Sequence, residues 1–339
     1  VSSASAGASR SGAPASLPPS GLPGLNASFS RLIDVPERHS TTRSTRRWHI
    51  LDNAPALAEL GVQPVGTVLC VHGNPTWSYL WRRLLSSATD AAADGGQAWR
   101  VIAVDQLNMG FSERTGEGRP LARRVRDLDD LTNALSTDAL GLAGPIVTLG
   151  HDWGGVVSLG WAVDHPELLA GVMLLNTAVH QPEGEPIPAP LRLALHRSLL
   201  RPATVATPAF LETTLALAHP SLPSPVKDAY RSPYRRAARR AGIGDFVADI
   251  PVHAGHESAP ELDRIAHRVG TLRVPALMLW GPRDPVFSDR YLDDLARRMP
   301  HADIHRFEGA GHLIAEDVDY ASAVLTWLGD KPLVGQASE

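Results

Sequence analysis

Five short runs, at residues 67–71, 101–104, 146–149, 172–175 and 276–280, are apolar at nearly every position. A strand covered on one face alternates apolar with polar residues, whereas one covered on both faces is continuously apolar. These runs therefore predict the central strands of a parallel sheet. Residues 305–307 predict a last strand at the sheet edge, and residues 48–51 begin an antiparallel lead-in pair. Between the strands, residues 121–140, 155–165, 289–299 and 313–328 carry apolar positions at helical spacing. Strand alternating with helix is the mark of βαβ units.

The rhythm breaks after Asn176. Residues 180–258 are Pro-punctuated and rich in Leu and Ala, with no strand pattern, and predict helices at 191–200, 209–218 and 232–241. They form an expected helical cap inserted over the C-terminal edge of the sheet, where open α/β sheets place their ligands. The core then comprises residues 27–179 and 259–329. Residues 1–26 are Ser/Ala/Gly/Pro-rich and cannot offset the entropy of ordering, so a disordered tail is expected there. They lack the apolar stretch of a secretory signal. Residues 330–339 read as a polar tail or linker.

Composition narrows the classes. Hydrophobic content of 43% with 20% charged residues is that of a globular protein. A net charge of -4 and a pI near 6.4 argue against nucleic acid or an anionic membrane as partner. No apolar stretch approaches the ~20 residues of a transmembrane helix. The single cysteine, Cys70, excludes an internal disulfide and suits a reducing cytoplasm. No cofactor motif and no metal-ligand spacing is present, so neither is expected.

The chemistry concentrates at Gly150-His151-Asp152-Trp153-Gly154, which follows a strand and opens a helix. Asp152 there occupies the centre of a Gly-x-nucleophile-x-Gly elbow, where small neighbours are needed because the turn is tight and the central residue strained. Alone, the segment reads equally well as an aspartate helix cap. Its partners favour catalysis. His72-Gly73-Asn74 ends a strand where a second oxyanion amide is supplied, Asp284 follows another strand, and His312 lies in a Gly-rich turn before the last helix. Nucleophile, acid and histidine in that order are the order of the α/β-hydrolase fold: a mostly parallel central sheet flanked by helices.

A carboxylate at the elbow is already ionised near neutral pH and attacks without a base. His312 would move a proton or activate water in a later step, and Asp284 would orient it and stabilise its charged form. The indole N–H of Trp153 and the side-chain amide of Asn74 are donors suited to a leaving anion or oxyanion. His151 is read as supporting the turn, and Arg235, Arg236, Arg239 and Arg240 as a solvated cap face. Tyr230 and Tyr234, four apart, leave open an epoxide hydrolase using two tyrosine acids. A non-catalytic hydrolase-like binding module would show a broken triad, and this one is complete.

The segments 72–82, 150–154, 281–285 and Gly311-His312 closely resemble the haloalkane dehalogenases, over residues 48–328. In that family the residues matching Asn74 and Trp153 hold the halide. The acid after the late strand, together with the Asn–Trp pair, resembles the third branch, which includes the β-lactone decarboxylases of olefin biosynthesis. Residues 48–52, 104–114 and 244–251 are similar to that decarboxylase domain. The resemblance implies conversion of a cis-β-lactone with two long alkyl chains into a cis-alkene and carbon dioxide. It also implies an apolar substrate and a β-lactone synthetase as a fused or associated partner. Haloalkane dehalogenation is the alternative.

Overall fold

The computed structural model describes residues 12–39, 44–142, 144–180, 197–253 and 255–331. Its strands are β1 (Ser30–Pro36), β2 (Thr45–Asp52), β3 (Gly66–Val71), β4 (Trp99–Val104), β5 (Ile146–His151), β6 (Leu169–Leu175), β7 (Ala276–Trp280) and β8 (Asp303–Arg306). They make one sheet in the order β1-β2-β4-β3-β5-β6-β7-β8. β2 is antiparallel to both β1 and β4, and the remaining pairs are parallel.

The five apolar runs all lie in β3 to β7, where every residue is buried. Period-two geometry divides each strand between two cores. Val68 and Cys70 join one cluster and Leu69 and Val71 the other. Each fully buried Leu or Val side chain contributes roughly 1.5–3 kcal/mol, so a sheet covered on both faces anchors the site above it. β8 ends at Arg306, one residue short of the expected run, and is exposed throughout, as a short charged edge strand can be.

The core helices include α1 (Ala54–Glu59), α2 (Arg82–Ala93), α3 (Leu121–Thr137) and α4 (Trp153–Asp164). The helix expected over 313–328 is two, Ile314–Asp317 and Tyr320–Asp330, because the Asp319 side chain caps the second by accepting from the Ser322 amide.

Between β6 and β7 the described residues of the inserted segment carry helices Arg197–Arg201, Ala209–Leu215, Ser224–Arg231 and Ala241–Ala248, and Ala259–Arg268 follows them in the core. Residues 181–196, which include most of the helix expected at 191–200, lie outside the described residues. The helix expected at 232–241 is instead two 3₁₀ turns, Ser232–Tyr234 and Ala237–Arg240. Pro233, which lacks an amide donor, is the second residue of the first of them. The inserted segment sits on the turn after β3. Trp77 Nε1 donates to the Ala229 carbonyl at 3.2 Å, Tyr234 Oη to the Thr76 carbonyl at 3.0 Å, and Asn74 Nδ2 to the Ile243 carbonyl at 3.2 Å.

Two further expectations change. Within the stretch read as a disordered tail, residues 12–26 are placed: Ala13 and Arg114 exchange backbone hydrogen bonds, and Tyr79 Oη donates to the Pro23 carbonyl at 2.6 Å. Backbone pairing supplies what the composition withholds. The arginine cluster is not wholly a solvated face. Arg240 is buried and donates to the carbonyls of Val205, Ala206 and Tyr234, while Arg239 reaches the Gly110 carbonyl at 3.1 Å.

Candidate active site

β5 runs directly into α4, with Asp152 alone between them at φ 53°, ψ -129°. Few L-residues adopt that conformation, so the surroundings must hold it. Thr177 Oγ1 donates to the Asp152 carbonyl at 2.6 Å, and the Asp152 amide donates to the Asn176 carbonyl at 3.1 Å. A Cβ on Gly150 would lie 2.5 Å from Gly155 Cα, and one on Gly154 would lie 2.0 Å from the Val71 carbonyl oxygen. The elbow therefore requires its glycines.

The Asp152 side chain meets the turn after β3. The Asn74 amide donates to its Oδ1 at 2.7 Å, and the Trp153 amide is a second donor. A Cβ on Gly73 would fall 2.2 Å from the same oxygen, so the backbone approaches as closely as it does only because residue 73 has no side chain. Burial raises the Asp152 pKa, against the opposing pull of His312 and the two amides.

His312 Nδ1 donates to Asp284 Oδ2 at 2.9 Å, and both residues are buried. The Asp284 carboxylate also accepts from Asn176 Nδ2 at 2.9 Å and from the Val286 amide at 2.7 Å. Burial works against charge on His312, but Asp284, and after it Asp152, outweigh it and raise the imidazole to about 9. Burial likewise opposes ionisation of Asp284, yet His312 and the donors at its oxygens bring it below the usual value. Asp152 and His312 thus lie in each other's field, each favouring the charged form of the other.

The expected anion donors are at the site, with different engagements. Trp153 is partly exposed and its ring centroid is 5.7 Å from that of Phe246. Asn74 is buried, its amide nitrogen on Ile243 and its Oδ1 without a partner. His151 supports more than its own turn: its Nε2 donates to the His312 carbonyl at 2.7 Å. Its pKa falls to about 3, chiefly through burial and then through the charge on His312, so it stays neutral.

The two cap tyrosines are engaged elsewhere. Tyr230 Oη donates to Glu316 Oε1 at 2.6 Å, and Tyr234 Oη contacts the Thr76 carbonyl and the Gly110 amide, each at 3.0 Å. Asn176 was not singled out by the sequence as a site residue, although it links Asp152 to Asp284. Among the described residues, His39, Asp129 and Asp130 could together approach a metal ion. His39 lies far along the chain from the adjacent pair Asp129 and Asp130 in α3, so no local spacing marks the three. No helix among the described residues is long and apolar enough to cross a membrane.

A family profile for the alpha/beta hydrolase fold matches residues 66–318. The cis-3-alkyl-4-alkyloxetan-2-one decarboxylase of Xanthomonas campestris is 31% identical over 278 residues, 79% of this chain and 86% of that protein. Haloalkane dehalogenase 2 of Mycobacterium tuberculosis is 28% identical over 269 residues, 77% of this chain and 87% of that protein. Among solved structures, haloalkane dehalogenase DpaA of Paraglaciecola agarilytica NO2 matches with a TM-score of 0.75 at 22% identity, covering 94% of this chain and 99% of that one. That last likeness is one of fold.

Proposed function

The chain belongs to the alpha/beta hydrolase fold family and to the family of the Xanthomonas decarboxylase, and from this we propose that it decarboxylates cis-3,4-dialkyl-oxetan-2-ones to long-chain cis-alkenes. The observation that carries the reading is the 31% identity to that decarboxylase across 79% of the chain. An elbow carboxylate with a His–Asp pair supports it.

The chemistry balances without water. A carboxylate oxygen of Asp152 attacks the saturated, alkyl-bearing ring carbon bonded to the ring oxygen, and that carbon–oxygen bond breaks to free a carboxylate. The bond from the neighbouring carbon to this carboxylate then breaks, its electrons form the alkene, and the bond to Asp152 breaks, releasing carbon dioxide and regenerating Asp152. Inversion in the first step followed by anti elimination in the second carries a cis-lactone to a cis-alkene. The Trp153 indole and the Asn74 amide would hold the oxygen as it gains charge. Charged His312, oriented by Asp284, would stabilise Asp152 as it departs.

Haloalkane dehalogenation is the second reading, favoured by the Asn74–Trp153 pair and by the 28% identical relative. There the ester on Asp152 is opened by water. Esterification removes one of the charges that raise His312, which eases loss of its proton and lets it act as base. The apolar substrate, the cytoplasmic setting and a β-lactone synthetase partner belong to the first reading. The buried thiol of Cys70 fits a reducing compartment.

Supplying a cis-β-lactone and a 1-bromoalkane in parallel tests the choice. The proposal expects alkene from the lactone and bromide release slower by a factor of about 100 or more. Rapid bromide and alcohol formation, with the lactone recovered intact, would establish the dehalogenase instead.

A further inference from the structure

Arg124 stands in the first turn of α3, three residues after the helix begins at Leu121. It is 3% exposed, and its Nε, Nη1 and Nη2 are all buried without a hydrogen-bond partner. Each of these features is unfavourable. A cation opposes the positive end of a helix dipole, and a buried unpaired charge is among the costliest groups a fold can carry. Every other buried arginine among the described residues donates at least one hydrogen bond: Arg82 to Glu316, Arg100 to Asp52, Arg114 to Met109, Arg119 to Asp127 and Arg240 to Tyr234.

What Arg124 does have is a ring. Its guanidinium carbon lies 3.3 Å from the centroid of Phe246, on the cap helix Ala241–Ala248, and Phe246 in turn lies 5.7 Å from the Trp153 ring. Stacking uses the face of the guanidinium and leaves its in-plane N–H groups unspent. Other polar atoms near the nucleophile are also unspent. Asn74 Oδ1 has no partner beneath Ile243. Gln106, bonded to His72 through both its backbone amide and its side-chain amide, leaves Oε1 buried and free. The charge of Arg124 is also felt at His72, the neighbour of Gly73 in the turn that meets Asp152. Asp249, and after it Asp245 and Asp127, offset the charge of Arg124 through their fields, but Asp249 forms no ion pair with it and its own Oδ2 is buried without a partner.

We infer that the in-plane edge of Arg124 is a carboxylate-binding group of the site, and that it takes the carboxylate freed when the lactone ring opens. This rests on the decarboxylase reading for the identity of the carboxylate, though not for the binding itself. A fork of parallel N–H donors fits the two oxygens of a carboxylate and fixes its plane. That orientation would align the breaking carbon–carbon bond against the bond to Asp152. Phe246 holds the guanidinium from one face, and Arg124 acts on the substrate directly.

The test uses equilibrium binding of decanoate and 1-decanol to the wild-type protein, Arg124→Lys and Arg124→Met. These probes do not turn over, so the result is independent of whether the enzyme takes lactones or haloalkanes. Lactone turnover, measured separately, judges the decarboxylase reading. In the wild type, decanoate should bind at least about tenfold more tightly than 1-decanol. Arg124→Met should abolish that preference while keeping 1-decanol affinity, and Arg124→Lys should restore part of it. Equal affinity for the two probes in the wild type, a measurement that needs no variant to fold, would overturn the inference. So would an undiminished preference in Arg124→Met, which would leave the carboxylate to Trp153 and Asn74 alone.

Discussion

Asn176 donates its side-chain amide to Asp284 Oδ2 at 2.9 Å, the oxygen that also receives His312. The same residue closes a loop on Gly281, accepting from its amide at 2.8 Å and donating to its carbonyl at 2.9 Å. Its own carbonyl takes the Asp152 amide. One asparagine thus couples the strand end that carries Asp152 to the strand end that carries Asp284.

Replacing it tests that coupling. Asn176→Ala leaves buried groups on Asp284 and Gly281 unpaired, which should cost roughly 2–3 kcal/mol in urea unfolding. It should also lower kcat by about tenfold to a hundredfold, because His312 loses its fixed support. A variant of unchanged stability and rate would remove Asn176 from the site.

His312 predicts a pH dependence of stability. Its folded value is raised from 6.5 to about 9. A basic group with a raised pKa contributes stability fully present below the unfolded value and lost as pH rises through the folded one. The loss should therefore run from about pH 6.5 to about pH 9 and amount to roughly 3 kcal/mol. Unfolding of His312→Gln across the same window should show a correspondingly flatter decline. Parallel curves for the two proteins would show that His312 is not held charged by Asp284.

The cap tyrosines give a prediction of the opposite kind. Tyr230→Phe and Tyr234→Phe each remove a hydrogen bond that ties the cap to the core, so each should cost roughly 1–2 kcal/mol of stability. Turnover should stay within about threefold, since neither hydroxyl is free to act as an acid. Loss of activity by about a hundredfold in either variant, with the fold intact, would revive the epoxide hydrolase.

Much of this was legible in the chain because it follows from burial and from local turn chemistry. β3 to β7 announce themselves through continuous apolar runs. The elbow at Asp152 does so through glycines whose positions no other residue can fill. β1 was not legible, since an antiparallel edge strand that is only partly buried carries a weak pattern. In the cap, Tyr230 and Tyr234 look like one helical face by spacing, but a new turn containing Pro233 starts between them. The pairings of Asn176 with Asp284, and of His49 with Asp105 at 2.7 Å, join residues 108 and 56 positions apart. No local motif encodes such contacts. Nothing in the sequence marks Arg124, whose burial comes from the fold.

The most direct test of the central claim is the product formed from a single cis-3,4-dialkyl-oxetan-2-one, followed by gas chromatography with carbon dioxide trapped quantitatively. The account predicts only the cis-alkene, one carbon dioxide per alkene, and no turnover by a folded Asp152→Asn protein whose mass excludes deamidation. Hydrolysis of the lactone to its β-hydroxy acid without alkene, or near-wild-type alkene formation by Asp152→Asn, would contradict it.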